Sequence, residues 1–593
     1  MMACMKGSSM PKTVILFGHT DGHGIAMTAI SEKNLIDEGY DVTTECKYVK
    51  CNPATCEAPD ECGTGVVEFF WCYTFQRYDY SHLQPGDLVV IVDIPLPIQH
   101  ELPFPVACLA VKKIKELSER CIRVIIVDHH KRSMTHYGEA IQNGAEVVFC
   151  AGTEKYCHYG RPRKDMFMWG KVGAICDRDY TMRPVEEEEI EPFARLEKYA
   201  GWLHATRSNI PTVMLTMQRG CIPEIRNGNN QTVQPKSKKC REVSLIDEGL
   251  DYNERFKQLE KACEIKETPY GVGVCNEGTV TVIKNWKEKS LLPLVFKLPR
   301  NIRWKGHDDA LFVKVDPPKA AHKFADEIIQ ILNSPRIDET AVPSSEHEFF
   351  DYILKLFGRV DIPEYLTKHA WGHVENVLAN AQLLGMLSNL TSREQKILNW
   401  GALFHDIGNA AASPEFSELF QDDKIRENPR REHEKHTDTI LEHWKQKGYF
   451  TGIIEEKELE IIRDICLGHR NDPNTIPHDE PNRKLCVLLR IADALDRTKD
   501  RARINDKEIK HSELMERELL DDEAQKHWNS QRAIDAIRVD AKREKIVFEF
   551  IVTDRKEANF TLENFEKELD NLKGIGVIPD PEIRVVEIDD WWY

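Results

Sequence analysis

Val124-Ile125-Ile126-Val127-Asp128-His129-His130-Lys131 decides how the first part of this chain is read. Four apolar residues in a row, two isoleucines between two valines, suit a strand buried on both faces. The run stops abruptly on a carboxylate, two imidazoles and a lysine. In an open parallel sheet the carboxyl ends of the strands face one crevice, so polar residues placed there meet residues from neighbouring strands.

The same pattern recurs on both sides. Apolar Thr13–Phe17 leads into Gly18-His19-Thr20-Asp21-Gly22-His23-Gly24, followed by a helix from about Gly24 to Asp37. Apolar Leu88–Val92 stops on Asp93, and Ala145–Phe149 is a further candidate strand. Gly173-Ala174-Ile175-Cys176-Asp177 adds another carboxylate. Mixed His and Asp donors can hold two divalent cations about 3.5–4 Å apart, which clamp a phosphodiester and activate a water. That donor set suits Mn²⁺, Fe²⁺ or Zn²⁺ better than the all-oxygen shell that Mg²⁺ prefers.

These pieces, in this order, resemble the DHH phosphoesterase superfamily of RecJ-related exonucleases, small-oligonucleotide and cyclic-dinucleotide phosphodiesterases and inorganic pyrophosphatases. The resemblance implies metal ligands at Asp21, Asp93, His129 and Asp177 with His19 beside them, and a phosphate contact from His130. Asp128 and Lys131 join His130 in the expected catalytic group. His23 stands where the family usually has a metal-binding Asp, which removes one negative charge and makes the site atypical.

A second α/β segment covers about 250–334, with strands expected at Gly271–Val274, Val280–Ile283 and Leu311–Val315 and a helix over Lys319–Leu332. Its Lys305-Gly306-His307-Asp308-Asp309-Ala310 resembles a degenerate form of the glycine-rich signature of DHHA1 substrate domains. On that resemblance Arg300, Arg303, Gly306 and His307 are substrate-binding candidates, and a short nucleotide is favoured over pyrophosphate.

The chain then turns helical. Apolar Val374, Val377, Leu378, Ala381 and Leu384 mark one helix face. Thr391-Ser392-Arg393-Glu394 has the form of a capping box, and the helix it opens ends at Phe404-His405-Asp406-Ile407-Gly408. A later helix carries Leu489-Arg490-Ile491-Ala492-Asp493-Ala494-Leu495-Asp496. Helices of a bundle can project such ligands into one pocket. The pattern resembles the HD phosphohydrolase superfamily, whose H…HD…D ligands correspond to His373, His405, Asp406 and Asp493. His433 and His469 fall where several HD families place extra histidines and could complete a second metal site, whereas His369 and His436 read as surface or supporting residues. A transition metal or Mg²⁺ is expected there.

The expected fold class is therefore multidomain: an α/β parallel-sheet DHH domain (11–221), a linker (222–249) and an α/β DHHA1-like domain (250–334). A second linker (335–347) leads to an all-α HD domain (348–535) with a small α+β C-terminal cap (536–593). Strands in that cap are expected at Ile537–Val539, Lys545–Val552 and Glu582–Ile588.

Composition bounds the partners. A formal net charge of −18 argues against coating nucleic acid, though a nucleotide or short oligonucleotide substrate remains compatible with it. No apolar run is long enough to span a bilayer, and Met1 to Met10 lacks the apolar stretch of a secretory signal, so no membrane partner and a cytoplasmic location are expected. The composition leaves open whether the chain forms a homo-oligomer. Fifteen of the 17 cysteines precede residue 276. Cys46, Cys51, Cys56 and Cys62 lack the spacing of a zinc knuckle and read as reduced thiols in a long loop rather than as a metal or redox site.

Overall fold

The computed structural model describes residues 13–19, 22–45, 74–94, 96, 106–130, 134–150, 154–163, 165–166, 169–172, 244–245, 270–274, 279–284, 303–307, 310–314, 320–333, 349, 352–353, 356, 371–413, 416–422, 425, 432–469, 475–498, 522–542, 545–575 and 581–588. Two compact units result. One comprises 1–226, 360–442 and 456–593, and the other 227–359 with 443–455.

The first unit begins with alternating strands and helices: β1 (Thr13–Gly18), α1 (Gly22–Asp37), β2 (Asp41–Glu45), β3 (Leu88–Val92), α2 (Val106–Glu119), β4 (Arg123–Asp128), α3 (Met134–Gln142) and β5 (Ala145–Phe149). Each of these strands runs parallel to its neighbour, in the spatial order β5-β4-β3-β1-β2. Every residue of β3 is buried, which is why its sequence is continuously apolar instead of alternating. Leu16, Val90 and Val127 form a core with Ile25 and Ala29 of α1. The turn from α3 into β5 passes through Gly144 at φ +101°, a conformation that L side chains rarely adopt.

Described residues of the second unit form a five-stranded sheet with a helix that follows its last strand. Its elements are β6 (Ser244–Leu245), β7 (Tyr270–Val274), β8 (Thr279–Lys284), β9 (Arg303–His307), β10 (Ala310–Lys314) and α4 (Ala321–Asn333). Gly306 and His307 belong to strand β9, where they pair with Leu311 and Ala310.

The helical region consists of α5 (Trp371–Leu387), α6 (Ser392–Phe404), α7 (His433–Gln446), α8 (Glu456–Leu467) and α9 (Asn482–Ala494), all in the first unit except the last turn of α7 from His443 on. The capping box at the start of α6 is present in both directions: Thr391 accepts from the Glu394 backbone, and the Glu394 side chain accepts from the Thr391 backbone. Beyond Phe404 the chain tightens into a 3₁₀ turn, Ile407–Ala412.

The C-terminal elements are α10 (Asp522–Arg532), β11 (Ile534–Lys542), β12 (Lys545–Val552), α11 (Arg555–Ile575) and β13 (Pro581–Glu587). These strands were expected to form a cap of their own. They instead extend the N-terminal sheet, giving the eight-stranded order β13-β12-β11-β5-β4-β3-β1-β2. Strand β11 pairs antiparallel with β5, Val539 opposite Phe149 and Ala541 opposite Val147. The physical reason is that β5 would otherwise present an unpaired edge of buried apolar residues. Tyr156, Ala536, Ile551 and Ile588 close a small apolar cluster along this seam. Helix α11 covers the added strands, with Phe565 edge-on to Phe548 and Phe550. It also reaches the helical region, where Arg490 of α9 and Glu568 of α11 form a buried two-bond ion pair.

Helix α3, which follows the Asp128-His129-His130 turn, packs on α5. A Cβ on Gly138 would strike Met386, so the glycine sets how closely the two helices approach.

Candidate metal centres

Strands β1, β3 and β4 deliver His19, Asp93, Asp128 and His129 to one end of the sheet, as parallel topology requires. Asp93 leaves β3 at φ 59°, a left-handed conformation that a non-glycine residue adopts only when its surroundings impose it. Its carboxylate is buried among imidazoles. Oδ1 lies 3.0 Å from His129 Nε2, Oδ2 3.0 Å from His23 Nδ1, and His19 Nδ1 is 4.0 Å from Oδ2. Burial alone would raise the Asp93 pKa, but His23 and His129 outweigh it and hold the carboxyl well below the usual range.

His23 therefore stands inside the donor cluster, fully buried, with its ring edge-on to that of His129. Gly24 allows this. A Cβ there would collide with the His19 backbone and side chain, so α1 could not start so close to β1.

Asp128 has a different orientation. Its Oδ1 accepts from His130 Nδ1 at 2.7 Å, while Oδ2 accepts from the buried Tyr137 hydroxyl of α3. Burial alone would raise its pKa, but His130 outweighs burial and the carboxyl is held below its usual range. Asp93, Asp128, His129 and His130 together place donor atoms close enough to hold a metal ion. Asp21, Lys131, Asp177 and Arg300 lie outside the described residues, as do the side chains of Arg303, Gly306 and His307 and the cysteines 46, 51, 56 and 62. The buried Cys150, Cys157, Cys466 and Cys486 are reduced thiols.

The helical region brings the other six predicted residues together, with four histidines facing the Asp406 carboxylate. Asp406 Oδ2 faces His373 Nε2 at 3.3 Å and His405 Nε2 at 3.6 Å. Its Oδ1 faces His433 Nε2 at 3.1 Å and His469 Nε2 at 3.9 Å. Asp493 Oδ1 completes the first side, 3.4 Å from His373 Nε2. Two donor groups result, His373-His405-Asp493 and Asp406-His433-His469, and each could hold a metal ion.

The tautomers fit that role. His373 Nδ1 donates to Asp496 Oδ2 at 2.7 Å, and His405 Nδ1 donates to the Ala402 carbonyl at 2.8 Å. The two Nε2 atoms, only 3.1 Å apart, then face each other with lone pairs. Such an arrangement is repulsive until a cation sits between the donors. His469 likewise donates from Nδ1 to the Cys466 carbonyl. Burial, reinforced by His433 and His405, pushes the His469 pKa down to about 3, and burial lowers that of His405. Neutral imidazoles are the ligating form.

Sequence reasoning did not assign three supporting residues. Asp496 orients His373, and Asn376 donates to Asp496 Oδ1 at 2.6 Å. Tyr137 holds Asp128. Asp496 was visible in the A-D-x-L-D pattern, but nothing in the sequence pairs it with a histidine 123 positions earlier. His436 packs against Phe420 and is in neither donor group. His369 lies outside the described residues.

An α/β sheet with one His/Asp centre, joined to a helical region with a paired His/Asp centre, is the class that fold and geometry define. Residues 362–574 match the HD-CE family model, a span that contains all six donors of the helical centre. No curated protein matches the chain. Among solved structures, RecJ of Thermus thermophilus in complex with Mn²⁺ is 14% identical over 54% of this chain and 52% of its own, with a TM-score of 0.26. An exonuclease RecJ bound to manganese is 13% identical over 55% of this chain and 91% of its own, with a TM-score of 0.27. An uncharacterized protein from Helicobacter pylori G27 is 13% identical over 54% and 99%, with a TM-score of 0.19. The chain thus spans about half the length of the Thermus RecJ. No described helix is long and apolar enough to cross a membrane.

Proposed function

We propose that the chain is a metal-dependent phosphohydrolase of nucleotide phosphoesters, with one hydrolytic centre in the sheet and one in the helices. The observation that carries this reading is Asp406, whose two carboxylate oxygens each face a separate pair of histidine Nε2 atoms. Divalent ions held by these donors would polarise a phosphoryl group and make a water nucleophilic at neutral pH. Mixed imidazole and carboxylate donors favour Mn²⁺, Fe²⁺ or Zn²⁺.

In the helical centre, His373, His405 and Asp493 would hold one ion, His433 and His469 the other, and Asp406 would bridge them. In hydrolysis the oxygen of a water bonds to phosphorus, the ester P–O bond breaks, and a proton from that water ends on the departing oxygen. In the sheet centre, Asp93 and His129 would be the principal ligands, with His19, His23, Asp21 and Asp177 completing the set. Asp128 fixes His130 through Nδ1, so Nε2 is the nitrogen that a phosphoryl oxygen would meet. The sheet centre would cleave short or cyclic oligonucleotides, and the helical centre would act on the product or a related nucleotide. Arg300, Arg303, Gly306 and His307 are proposed substrate contacts, and Lys131 a member of the catalytic group with Asp128 and His130.

One observation favours a second reading, in which the sheet centre senses a nucleotide and regulates the helical one. His23 brings an imidazole to Asp93 where a carboxylate is usual in the family that the sequence resembles. Asp93→Ala and Asp406→Ala, assayed separately with Mn²⁺ against linear and cyclic nucleotides, test both readings. Loss of a distinct activity in each variant is expected from two hydrolytic centres. If only Asp406→Ala loses turnover, the sensor reading stands, and if neither variant loses any, the phosphohydrolase reading is wrong.

A further inference from the structure

Asn409 lies three residues beyond Asp406, inside the 3₁₀ turn Ile407–Ala412 that Asp406 caps. A 3₁₀ helix has three residues per turn, so positions three apart eclipse and Asn409 follows Asp406 on one edge of the turn. The Asn409 N–H donates to the Asp406 carbonyl at 3.0 Å, which closes that turn. The turn cannot slide away from the centre. Gly408 donates to Thr437 Oγ1 at 2.9 Å, and a Cβ on it would run into the His433 carbonyl.

The Asn409 side chain is almost wholly buried, 1% exposed. Among the described residues neither its Nδ2 nor its Oδ1 has a hydrogen-bond partner. A buried carboxamide with both ends unmatched is unfavourable, and a leucine would fill similar space without that penalty. The missing partner must supply an acceptor for Nδ2 and a donor for Oδ1. A phosphoryl oxygen accepts only, and a water donates. An attacking water and the phosphoryl group it attacks are together complementary to one neutral amide.

We propose that the Asn409 carboxamide is a substrate-binding group of the helical centre, donating from Nδ2 to a phosphoryl oxygen and accepting at Oδ1 from the attacking water. The inference rests on the phosphohydrolase reading and adds to it the group that recognises the phosphoryl oxygen. Being neutral, the amide makes this contact without placing a further charge beside Asp406 and Asp493.

The test uses the full chain as wild type, Asn409→Ala, Asn409→Leu and Asn409→Asp. Metal content after Mn²⁺ loading, inorganic phosphate binding by calorimetry on the loaded protein, and melting temperature of the metal-free protein are read for each. All variants are expected to load Mn²⁺ as wild type does. Phosphate affinity should fall about 10-fold in Asn409→Ala and Asn409→Leu, the effect of one hydrogen bond to a charged acceptor. It should fall further in Asn409→Asp, where a carboxylate faces the phosphate. Metal-free Asn409→Leu should melt above wild type, because the unmatched amide is gone. Wild-type phosphate affinity in Asn409→Ala, or a metal-free Asn409→Leu that melts below wild type because the amide has an internal partner, overturns the inference alone. A wild-type chain that takes up no metal would sink the phosphohydrolase reading with it.

Discussion

The Lys155 ammonium and the Asp535 carboxylate, one just beyond β5 and the other at the start of β11, meet at 2.7 Å in a buried ion pair. The Tyr156 hydroxyl donates to the same carboxylate. This contact joins segments 380 positions apart and fixes where the C-terminal strands enter the N-terminal sheet.

Removing one partner leaves a buried, uncompensated charge, which costs about 3–5 kcal/mol. Asp535→Ala should therefore lower the unfolding free energy of the full chain by about that amount, measured by urea denaturation. Asp535→Asn should lose less, because an amide oxygen can still accept from Tyr156. A loss within error for Asp535→Ala would mean that the seam does not hold the fold.

Asp496 orients His373 without reaching the donor atoms on the metal side. Orienting carboxylates of this kind influence metal affinity by about 10–100-fold. Asp496→Ala should weaken Mn²⁺ binding to the helical centre by that factor and leave the sheet centre unchanged, as read by calorimetric titration. Asn376→Ala should act in the same direction with a smaller effect. Unchanged affinity in both variants would show that His373 is held by packing alone.

Gly138 and Gly574 are both helical, and both would gain helix propensity as alanine, by about 1 kcal/mol in a helix interior. Their surroundings differ. A Cβ at Gly138 would lie 2.5 Å from the Met386 Cβ, whereas one at Gly574 meets nothing within 4 Å. Gly138→Ala is expected to lower the melting temperature and Gly574→Ala to raise it slightly. Equal effects would mean that the α3–α5 contact relaxes freely.

Burial, and then the Glu146 carboxylate on the adjacent strand, push the Asp540 pKa up from 3.8 to about 6 against the pull of Lys542, Arg538 and Arg584. The folded state thus favours the protonated acid. That stabilisation is complete below the unfolded pKa and is lost as pH rises through about 6. Asp540→Asn should melt higher than wild type at pH 7.5 and close to it at pH 4. Melting curves at the two pH values measure this, and a difference that does not change with pH would disprove the assignment.

Much of both centres was legible because chemistry and periodicity coincide in the sequence. An apolar run that stops on Asp93 or on Asp128-His129-His130 marks a buried strand and its functional end together. His373, His405, Asp406 and Asp493 were legible because their order along the chain is the HD pattern. His433 and His469 are candidates in the sequence, and only the geometry turns both Nε2 atoms toward Asp406 Oδ1. Asp496, Tyr137 and Asn409 carry no signature of their own. Each matters through what it hydrogen-bonds or fails to hydrogen-bond, and linear spacing does not record that.

By itself the sequence determined most strands of the first sheet, their parallel character and the choice of most candidate donors, since these depend on local apolar pattern and residue chemistry. Only the tertiary structure decided that β11, β12 and β13 complete that sheet, and that Asp406 divides its oxygens between two histidine pairs. Strand pairing between Val539 and Phe149 depends on burying an exposed sheet edge across most of the chain's length. The direction of a carboxylate oxygen depends on which helices pack around it. Both are properties of the packed whole.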